Sequence, residues 1–570
     1  MRPYQKEIAI TVVLLVCSVA SDLATPSLIQ RIIDYGIAPK DISVIVSTTA
    51  LIILLAALGA VATIGNTIYA VRVAQNLAAD LRLSIFSKIE DFSFGNLDRF
   101  QTGQLIIRLT SDVNIVQFMV LLGLRVFIRA PLMIAGSISL MLLTNLELAR
   151  ITLVILPITL VIAALFVWRA QPLYLAVQNR LDRLNTVLQE NLAGVRVVKA
   201  FVRMDRESAR FKSANVDLTN QSIKVVTFFS VLFPSMLFVV NLSILSVVWY
   251  GGQQTIAGRF TVGEILAFTN YLLNSIFPLL FLTIIAGQLS AANASAQRIY
   301  EVMDSEPKIK NSPKAKKLSE IKGKVRFEDV CFSYTEKCIE PVLKDINLTA
   351  EPGQVVAILG ATGSGKTSLV SLIPRFYDVE LGRVTIDDID VRDIALESLT
   401  ANIGVALQES VLFTGSIRDN IRYGRPEASE EEVIEAAKAA QAHEFITGFP
   451  EGYDTEVGQR GVNLSGGQKQ RISIARAILV KPKILILDDS TSSVDVETEA
   501  RIQEQLEKIM VGRTTFIIAQ RISTVLKADK IVILDQGKVA AEGTHEELIR
   551  TSPIYREIFD SQLGEGGLMQ

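Results

Sequence analysis

Three long stretches of this chain carry no charged residue, and they limit its possible folds more than any other feature. The stretches are Ile42–Val71, Val225–Gly258 and Ile265–Gln297. Each is longer than the roughly 20 residues that a helix needs to cross a bilayer. Because backbone polar groups cannot stay unpaired in lipid, such stretches cross it as helices. Hydrophobic residues form 49% of the chain and concentrate in its first half, so we expect a membrane domain there.

Shorter apolar stretches raise the expected number of spanning helices to about six. Ala130–Leu146 and Ile151–Trp168 are separated by charged residues, a pattern that indicates a tight turn between two spans. The first stretch, Ile8–Gln30, is interrupted by Asp22. We interpret it as a retained helix rather than a signal peptide, because the sequence has no small-residue cleavage site there.

The charges of the connecting segments predict the orientation in the membrane. Arg72–Arg108 and Arg169–Lys224 are rich in Lys and Arg, whereas the alternate loops are short and nearly neutral. By the positive-inside rule the two basic segments are cytoplasmic, and both termini are then cytoplasmic too. The segments also keep helical periodicity. We therefore expect the spanning helices to continue into the cytosol and to turn near residues 95–100 and 205–209.

Three charged residues, Asp22, Arg125 and Arg129, interrupt the apolar helices. Arg125 and Arg129 are four residues apart and therefore share one helix face. A charge inside the membrane is costly, and it indicates a functional role such as lining a polar cavity. The alternatives are that these residues reach the membrane surface or pair with neighbours for structural reasons.

The composition changes after the membrane half. Residues 305–323 are polar, charged and contain proline, which is typical of a linker, and beyond them strands and helices alternate. We predict a membrane domain at 1–304, a linker at 305–323 and an α/β domain at 324–570. The net charge of −2 gives no general attraction to nucleic acid, and three cysteines without metal-ligand spacing argue against a zinc site or a disulfide framework.

The α/β half contains the pattern of a phosphate-binding loop. The loop follows the apolar strand Val355–Leu359 and precedes a helix that starts near Lys366. Backbone N–H groups would cradle the phosphates, Lys366 would reach the β and γ oxygens, and Thr367 would bind Mg²⁺. The candidate residues for phosphate binding are Gly360, Thr362, Gly363, Ser364, Gly365, Lys366, Thr367 and Ser368.

Two further motifs accompany the loop. The apolar strand Lys483–Asp489 ends in two acids, and Asp488 would hold Mg²⁺ because a buried acid needs a cationic partner. The run Leu464–Gln468, with the letters LSGGQ, lies between the loop and this strand. In this order the three motifs resemble the nucleotide-binding domain of an ABC transporter, and nearly the whole chain resembles a half-transporter of the type IV exporters.

That resemblance implies a fold, cofactors and site residues. The fold would be an α-helical membrane domain with about six long transmembrane helices, followed by an α/β P-loop ATP-binding domain with a helical subdomain. The cofactors would be ATP and Mg²⁺. Tyr334 would stack on adenine, and Gln408 would sense Mg²⁺ and the membrane domain. The signature residues, which would face the γ-phosphate bound by the opposite subunit, are Ser465, Gly466, Gly467 and Gln468.

The sequence departs from the family pattern beside the expected γ-phosphate. Asp489 stands where the family usually has Glu, and Gln520 stands where it usually has His. The shorter acid retracts its carboxylate by about 1.5 Å, and a misplacement of about 1 Å can cost about 10²-fold in rate. Gln520 cannot carry the charge of an imidazole. We therefore expect a degenerate site that binds ATP but hydrolyses it poorly, while the intact signature completes a partner's site. The motif Ser493–Asp495 would be the D-loop.

The predicted partners are a second ABC half-transporter, which makes a heterodimer, the lipid bilayer, and a hydrophobic or amphipathic substrate. We expect a multi-pass protein of the inner or cytoplasmic membrane, with the ATP-binding domain in the cytoplasm. One alternative is a homodimeric exporter with two slow ATPase sites. Another is an ATP-gated membrane regulator that transports little.

Overall fold

The computed structural model describes residues 2–318, 321–335, 340–489, 496–519, 522 and 525–563. The chain forms two compact units, and one of them is discontinuous in sequence. The helical unit contains Met1–Glu90 and Thr102–Ser305, whereas the sheet unit contains Asp91–Gln101 and Glu306–Gln570. The segment Asp91–Gln101 therefore belongs to the sheet unit although helical-unit residues flank it on both sides.

The helical unit is built from long helices. Its α-helices are α1 (Gln5–Ile32), α2 (Ile42–Glu90), α4 (Thr102–Ile107), α5 (Val113–Leu122), α6 (Arg129–Thr144), α7 (Leu146–Ala193), α8 (Val195–Ala200), α9 (Met204–Ile256) and α10 (Val262–Asp304); α3 (Phe94–Arg99) lies in the sheet unit. Short π-helical stretches at Arg108–Asp112 and Gly123–Phe127 join α4, α5 and α6 into one helical run. The described residues thus give six long helical runs, which agrees with the expected number.

When only the described residues are counted, four of these runs are long and apolar enough to cross a membrane. They are Gln5–Ile37, Ile42–Glu90, Thr102–Thr144 and Pro157–Ala193. Their lengths exceed what a bilayer requires. Helix α2 has 49 residues, and at a rise of 1.5 Å per residue it is about 73 Å long, against about 30 Å for the hydrocarbon core. The helices therefore extend well beyond the membrane, as the periodicity of the basic segments predicts.

The prediction of a second cytosolic turn near residues 205–209 is wrong. Helix α7 ends at Ala193, α8 occupies Val195–Ala200, and α9 already begins at Met204. The reversal is completed by Val202, whose φ of 53° ends the helical geometry. The acids of the predicted turn, Asp205 and Glu207, lie instead in the first turn of α9, where negative charge favours a helix N-terminus.

Polar contacts join the first membrane helices. Arg129 and Asp22 form an ion pair with 2.7 Å between Nη2 and Oδ2, and their side chains are 39% and 41% exposed. Between α1 and α2, the Asn66 amide donates to the Thr11 carbonyl at 2.9 Å. The pairing favours the structural alternative for Asp22 and Arg129, whereas Arg125 is exposed within its π-helical stretch.

The described residues of the sheet unit form three sheets. Its strands are β1 (Val325–Phe332), β2 (Leu343–Ala350), β3 (Val355–Leu359), β4 (Leu381–Ile386), β5 (Ile389–Asp390), β6 (Ile403–Ala406), β7 (Gly415–Ser416), β8 (Glu456–Val457), β9 (Ile484–Asp488), β10 (Thr514–Ile518), β11 (Lys530–Asp535) and β12 (Lys538–Gly543). A four-stranded antiparallel sheet has the order β2-β1-β4-β5, and a six-stranded sheet has the order β12-β11-β3-β10-β9-β6. The strands β7 and β8 form a separate pair.

Helices complete this unit. They are α11 (Lys366–Ser371), α12 (Leu396–Ala401), α13 (Ile417–Arg422), α14 (Glu430–Ala439), α15 (His443–Thr447), α16 (Gly466–Leu479), α17 (Val496–Met510), α18 (His545–Thr551) and α19 (Pro553–Leu563). Strand β10 lies between β3 and β9 and pairs in parallel with both. Ile518 of β10 lies opposite Ile358 of β3 and opposite Asp488 of β9. Because the carboxyl ends of parallel strands meet at one sheet edge, the loop after β3 and the acids after β9 lie together.

The segment after α10 runs along the sheet unit rather than standing free. The Asn96 side chain donates to the Glu306 carbonyl at 2.9 Å and accepts from the Lys308 N–H at 3.1 Å. Further on, the Leu318 N–H donates to Ser398 Oγ at 2.9 Å. The domain limits at 304 and 323 stay predictions from the sequence.

Candidate nucleotide-binding site

The loop between β3 and α11 is held open by glycines. Gly360, Gly363 and Gly365 have φ values of 150°, 84° and 100°, which favour glycine. A Cβ at Gly360 would lie 2.2 Å from the Leu534 carbonyl oxygen, and one at Gly365 would lie 2.8 Å from Leu343 Cδ2. No other residue fits these two positions without moving its surroundings.

The loop presents polar groups suited to an anion. Ser364 Oγ is buried and has no hydrogen-bond partner, which is costly unless a ligand supplies one. Lys366 Nζ donates to the Gly360 and Ala361 carbonyls, both at 2.9 Å. Burial lowers the pKa of this ammonium group, while the nearby carboxylates Asp488 and Asp489 oppose that shift. An unpartnered hydroxyl and a partly desolvated cation in a glycine loop fit a phosphate chain.

Asp488 ends β9 with only 2% of its surface exposed. Burial raises the pKa of its carboxyl group, a hydrogen bond with Thr367 lowers it, and the neighbouring Asp489 raises it further. Such a carboxylate is stabilised when a cation binds beside it. Among the described residues no group of three His, Cys, Asp or Glu could hold a metal, so a cation here would depend on Asp488, the Thr367 hydroxyl, water and phosphate oxygens.

Asp489 contacts Gln408, the residue predicted to sense Mg²⁺ and the membrane domain. The distance from Gln408 Nε2 to Asp489 Oδ2 is 3.4 Å, at the long end of hydrogen bonding. The backbone of Asp489 is fixed, because its N–H donates to the Ile518 carbonyl at 3.0 Å and its φ is 44°. Its carbonyl accepts from Gln470 Nε2 at 3.5 Å. Gln520 and Ser493–Asp495 lie outside the described residues.

Tyr334 lies beside the phosphate loop. Its hydroxyl and Ser368 Oγ are 2.8 Å apart, which joins the end of the first strand to α11. The ring is 48% exposed and meets the ring of Tyr377 edge-on, with 5.2 Å between centroids. An aromatic surface is therefore available next to the loop.

The signature residues open a different helix, α16. Ser465 caps it: Ser465 Oγ accepts from the Gln468 N–H at 3.3 Å, and the Ser465 N–H donates to Gln468 Oε1 at 2.9 Å. Ser465 and Gly466 are exposed. The structure thus brings Lys366, Thr367 and Gln408 together with the two acids, whereas the polar side chains of Ser465 and Gln468 bond to their own helix end.

Comparison with known proteins covers nearly the whole chain. Residues 8–279 match the family described as the ABC transporter transmembrane region, and residues 343–492 match the family described as ABC transporter. The uncharacterized ABC transporter ATP-binding protein YfiB of Bacillus subtilis (strain 168) is 40% identical over 572 residues, which cover 100% of this chain and 98% of that protein. The chain belongs to the ABC transporter family.

Two further comparisons describe this ABC transporter more closely. An ATP-dependent lipid A-core flippase of Syntrophus aciditrophicus (strain SB) is 38% identical over 86% of this chain and 82% of its own length. The structure of a bacterial Atm1-family ABC exporter with ATP bound has a TM-score of 0.81 and 27% identity, and the match covers 99% of both chains. The fold is that of an ABC exporter, and the chain is a multi-pass membrane protein with an ATP-binding domain that implies ATPase-coupled transport.

Two residues beside the candidate nucleotide site, Gln470 and Tyr377, were not predicted from the sequence. Gln470 holds the Asp489 backbone from α16, two residues beyond the signature. Tyr377 supports Tyr334 and donates to Asp98 Oδ2 at 2.8 Å. The aromatic pair Phe376–Tyr377 after the loop helix was a possible signal, but no local pattern in the sequence joins Tyr377 to an acid 279 positions away.

Proposed function

We propose that this chain is one subunit of a heterodimeric ABC exporter. Its own ATP site, built on Lys366, binds ATP but hydrolyses it slowly. Its signature residues, Ser465 to Gln468, complete the hydrolytic site of the partner subunit. ATP held in the slow site stabilises the closed dimer, so that its effect is a shift between states rather than catalysis.

The observation that carries this proposal is the reach of Asp489. A water beside the γ-phosphate must be oriented by a carboxylate placed within hydrogen-bond distance of it. Asp489 Oδ2 lies 3.4 Å from Gln408 Nε2, and the Asp489 backbone is fixed on β10 by the bond to Ile518. A Glu at this position would extend its carboxylate one C–C bond, about 1.5 Å, further from the same backbone position. The chain cannot supply this reach by moving the backbone without breaking the bond to β10.

The metal at this site is Mg²⁺, bound by Thr367 and Asp488 and sensed by Gln408. Thr367 and Asp488 would hold the ion beside the phosphates, where its charge would offset theirs. The buried Asp488, whose pKa burial raises, supports this assignment because its ionised form needs a neighbouring cation.

The substrate class is amphipathic small molecules or lipids, moved out of the cytosol or the inner leaflet. The long, nearly uncharged membrane helices and the similarity to a lipid A-core flippase support this class. The basic segments flanking the helices support an inner-membrane location with the sheet unit and both termini in the cytoplasm.

The test is the ATPase rate of the purified chain, alone and together with its candidate partner. We expect negligible turnover alone and strong turnover with the partner, which disappears when the partner's catalytic glutamate is replaced by Gln. Asp489→Glu should raise turnover at this chain's site by up to about 10²-fold, whereas Asp489→Asn should not.

Strong turnover by the chain alone, abolished by Lys366→Ala, would contradict the heterodimer and identify a homodimeric exporter. Substrate-stimulated turnover in the assembled protein separates an exporter from an ATP-gated regulator, because a regulator would not respond to substrate in this way.

A further inference from the structure

Tyr377 contacts both the candidate adenine site and the short helix α3. Its hydroxyl donates to Asp98 Oδ2 at 2.8 Å, and its ring meets the Tyr334 ring at 90° with 5.2 Å between centroids. All three residues belong to the sheet unit, which includes Asp91–Gln101. One side chain therefore joins the ring proposed to hold adenine to a segment that interrupts the membrane helices in sequence.

Helix α3 is fixed to the sheet unit at further points. The Phe94 ring stacks on Phe376 with 4.2 Å between centroids and 26° between planes. Asn96 is buried, and its amide group bonds to the backbone of Glu306 and Lys308. Because these contacts already order the segment, the Asp98–Tyr377 bond forms with little additional loss of conformational entropy.

The Tyr334 side chain has two contacts that fix it, and the remainder of its ring is exposed. Its hydroxyl pairs with Ser368 Oγ at 2.8 Å, and its ring edge rests on Tyr377, yet about half of its surface is exposed. A ring that stacks on a base needs this combination of a fixed plane and an exposed face. Burial and the Asp98 carboxylate raise the pKa of the Tyr377 hydroxyl, so it stays protonated and can donate to Asp98.

We propose that Tyr377 is a positioning residue for the adenine base, and that its bond to Asp98 couples ATP affinity to the docking of α3. This inference rests on the proposed role of Tyr334 in binding adenine. Because coupling between two sites is reciprocal, bound ATP strengthens the docking of α3 by the same factor by which docked α3 strengthens ATP binding. The triphosphate, held by the loop at Lys366, is not part of this coupling.

The test compares two ligands on the full chain, Mg-ATP and Mg-tripolyphosphate, by calorimetric titration. Tyr377→Phe removes the hydroxyl and keeps the ring, and Asp98→Ala removes the acceptor. We expect each to weaken ATP binding by about 2- to 10-fold, the worth of one hydrogen bond, and to leave tripolyphosphate binding unchanged. The double variant should be no weaker than either single one, and Asp98→Asn, which keeps an acceptor oxygen, should bind ATP like the wild type.

Unchanged ATP affinity in Tyr377→Phe or Asp98→Ala would overturn the inference, and so would an equal loss for both ligands. Tyr334→Ala distinguishes failure of the adenine site from failure of the Tyr377–Asp98 coupling. If it weakens ATP but not tripolyphosphate while the other variants have no effect, the coupling fails and the adenine site stands. If Tyr334→Ala affects neither ligand, the adenine role of Tyr334 fails and the coupling with it.

Discussion

At the scale of single residues, the candidate nucleotide site contains two buried polar side chains that are energetically unfavourable without a ligand. Ser364 Oγ is buried without a partner, and the pKa of the buried Asp488 carboxyl is raised. Both features lower the stability of the free protein, and a phosphate and a cation bound at the proposed site would remove both costs. The sequence alone predicts site roles for Ser364, Lys366 and Asp488, because each belongs to a local motif. It was insufficient for Tyr377 and Asp98, whose contact depends on the folded sheet unit.

We predict that Asp488→Asn stabilises the nucleotide-free protein while removing its response to Mg-ATP. The folded pKa of Asp488 lies above its unfolded value, so the wild type loses stability relative to this variant as the pH rises through the folded pKa. Thermal unfolding between about pH 4 and pH 8 should show a midpoint for the variant that rises by a few degrees relative to the wild type as the pH increases.

The matched control for that prediction is Asp345→Asn, because Asp345 has an exposed side chain and only a 3.9 Å ion pair with Lys538. It should change neither the midpoint nor the shift produced by Mg-ATP. A lower midpoint for Asp488→Asn than for the wild type at pH 8 would contradict the argument from burial.

At the scale of elements, the long helices could be predicted from the sequence, whereas the exact position of the turn between α7 and α9 could not. Hydrophobic stretches and periodicity predict α2, α7 and α9, because spans of this length have few alternatives in lipid. The second cytosolic turn was placed too late because Asp205 and Glu207 resemble a polar turn. They stabilise the N-terminus of α9 instead, and the helical geometry is interrupted at Gly194 and at Val202.

The Asp22–Arg129 pair gives a test at this scale. Removing one partner leaves a charge among apolar helices, whereas removing both leaves none. We expect Asp22→Ala and Arg129→Ala each to lower the stability of the detergent-solubilised protein by more than about 1 kcal/mol, and Asp22→Leu with Arg129→Met to recover most of that loss. Thermal unfolding followed by fluorescence-detected size exclusion measures both.

If the pair instead serves transport, the double variant would be stable and yet inactive in substrate efflux. Equal instability of the single and double variants would show that the ion pair contributes no coupling energy. Arg125→Ala, at an exposed position one turn away, is the control for simple loss of a basic residue.

At the scale of the whole molecule, the exposed end of α16 indicates how two chains assemble. Ser465 and Gly466 face solvent, and the capping bonds of Ser465 leave the N-terminus of a 14-residue helix accessible. Such an end attracts anions. The proposed heterodimer places it against the phosphate loop of the partner subunit.

We therefore predict that Ser465→Cys forms a disulfide with a cysteine introduced in the partner's phosphate loop, in a background without the three native cysteines. The yield should rise several-fold with ATP and Mg²⁺, because nucleotide closes the dimer, and it is read on non-reducing gels. Glu451→Cys, on a surface loop of the same unit, should give no product. Cross-linking that ignores nucleotide, or that matches this control, would contradict the assembly.

Because the sheet unit is discontinuous in sequence, its early segment Asp91–Gln101 cannot complete its contacts until the rest of the unit has been synthesised. Asp98 and Tyr377 are 279 residues apart, and at 5–20 residues per second the ribosome needs about 14–56 s to make the intervening chain. Throughout that interval Phe94 has no partner ring, while the helices on either side are already entering the membrane. Helix α3 is thus synthesised early and covered late, so its contact surface stays exposed while most of the sheet unit is still being made.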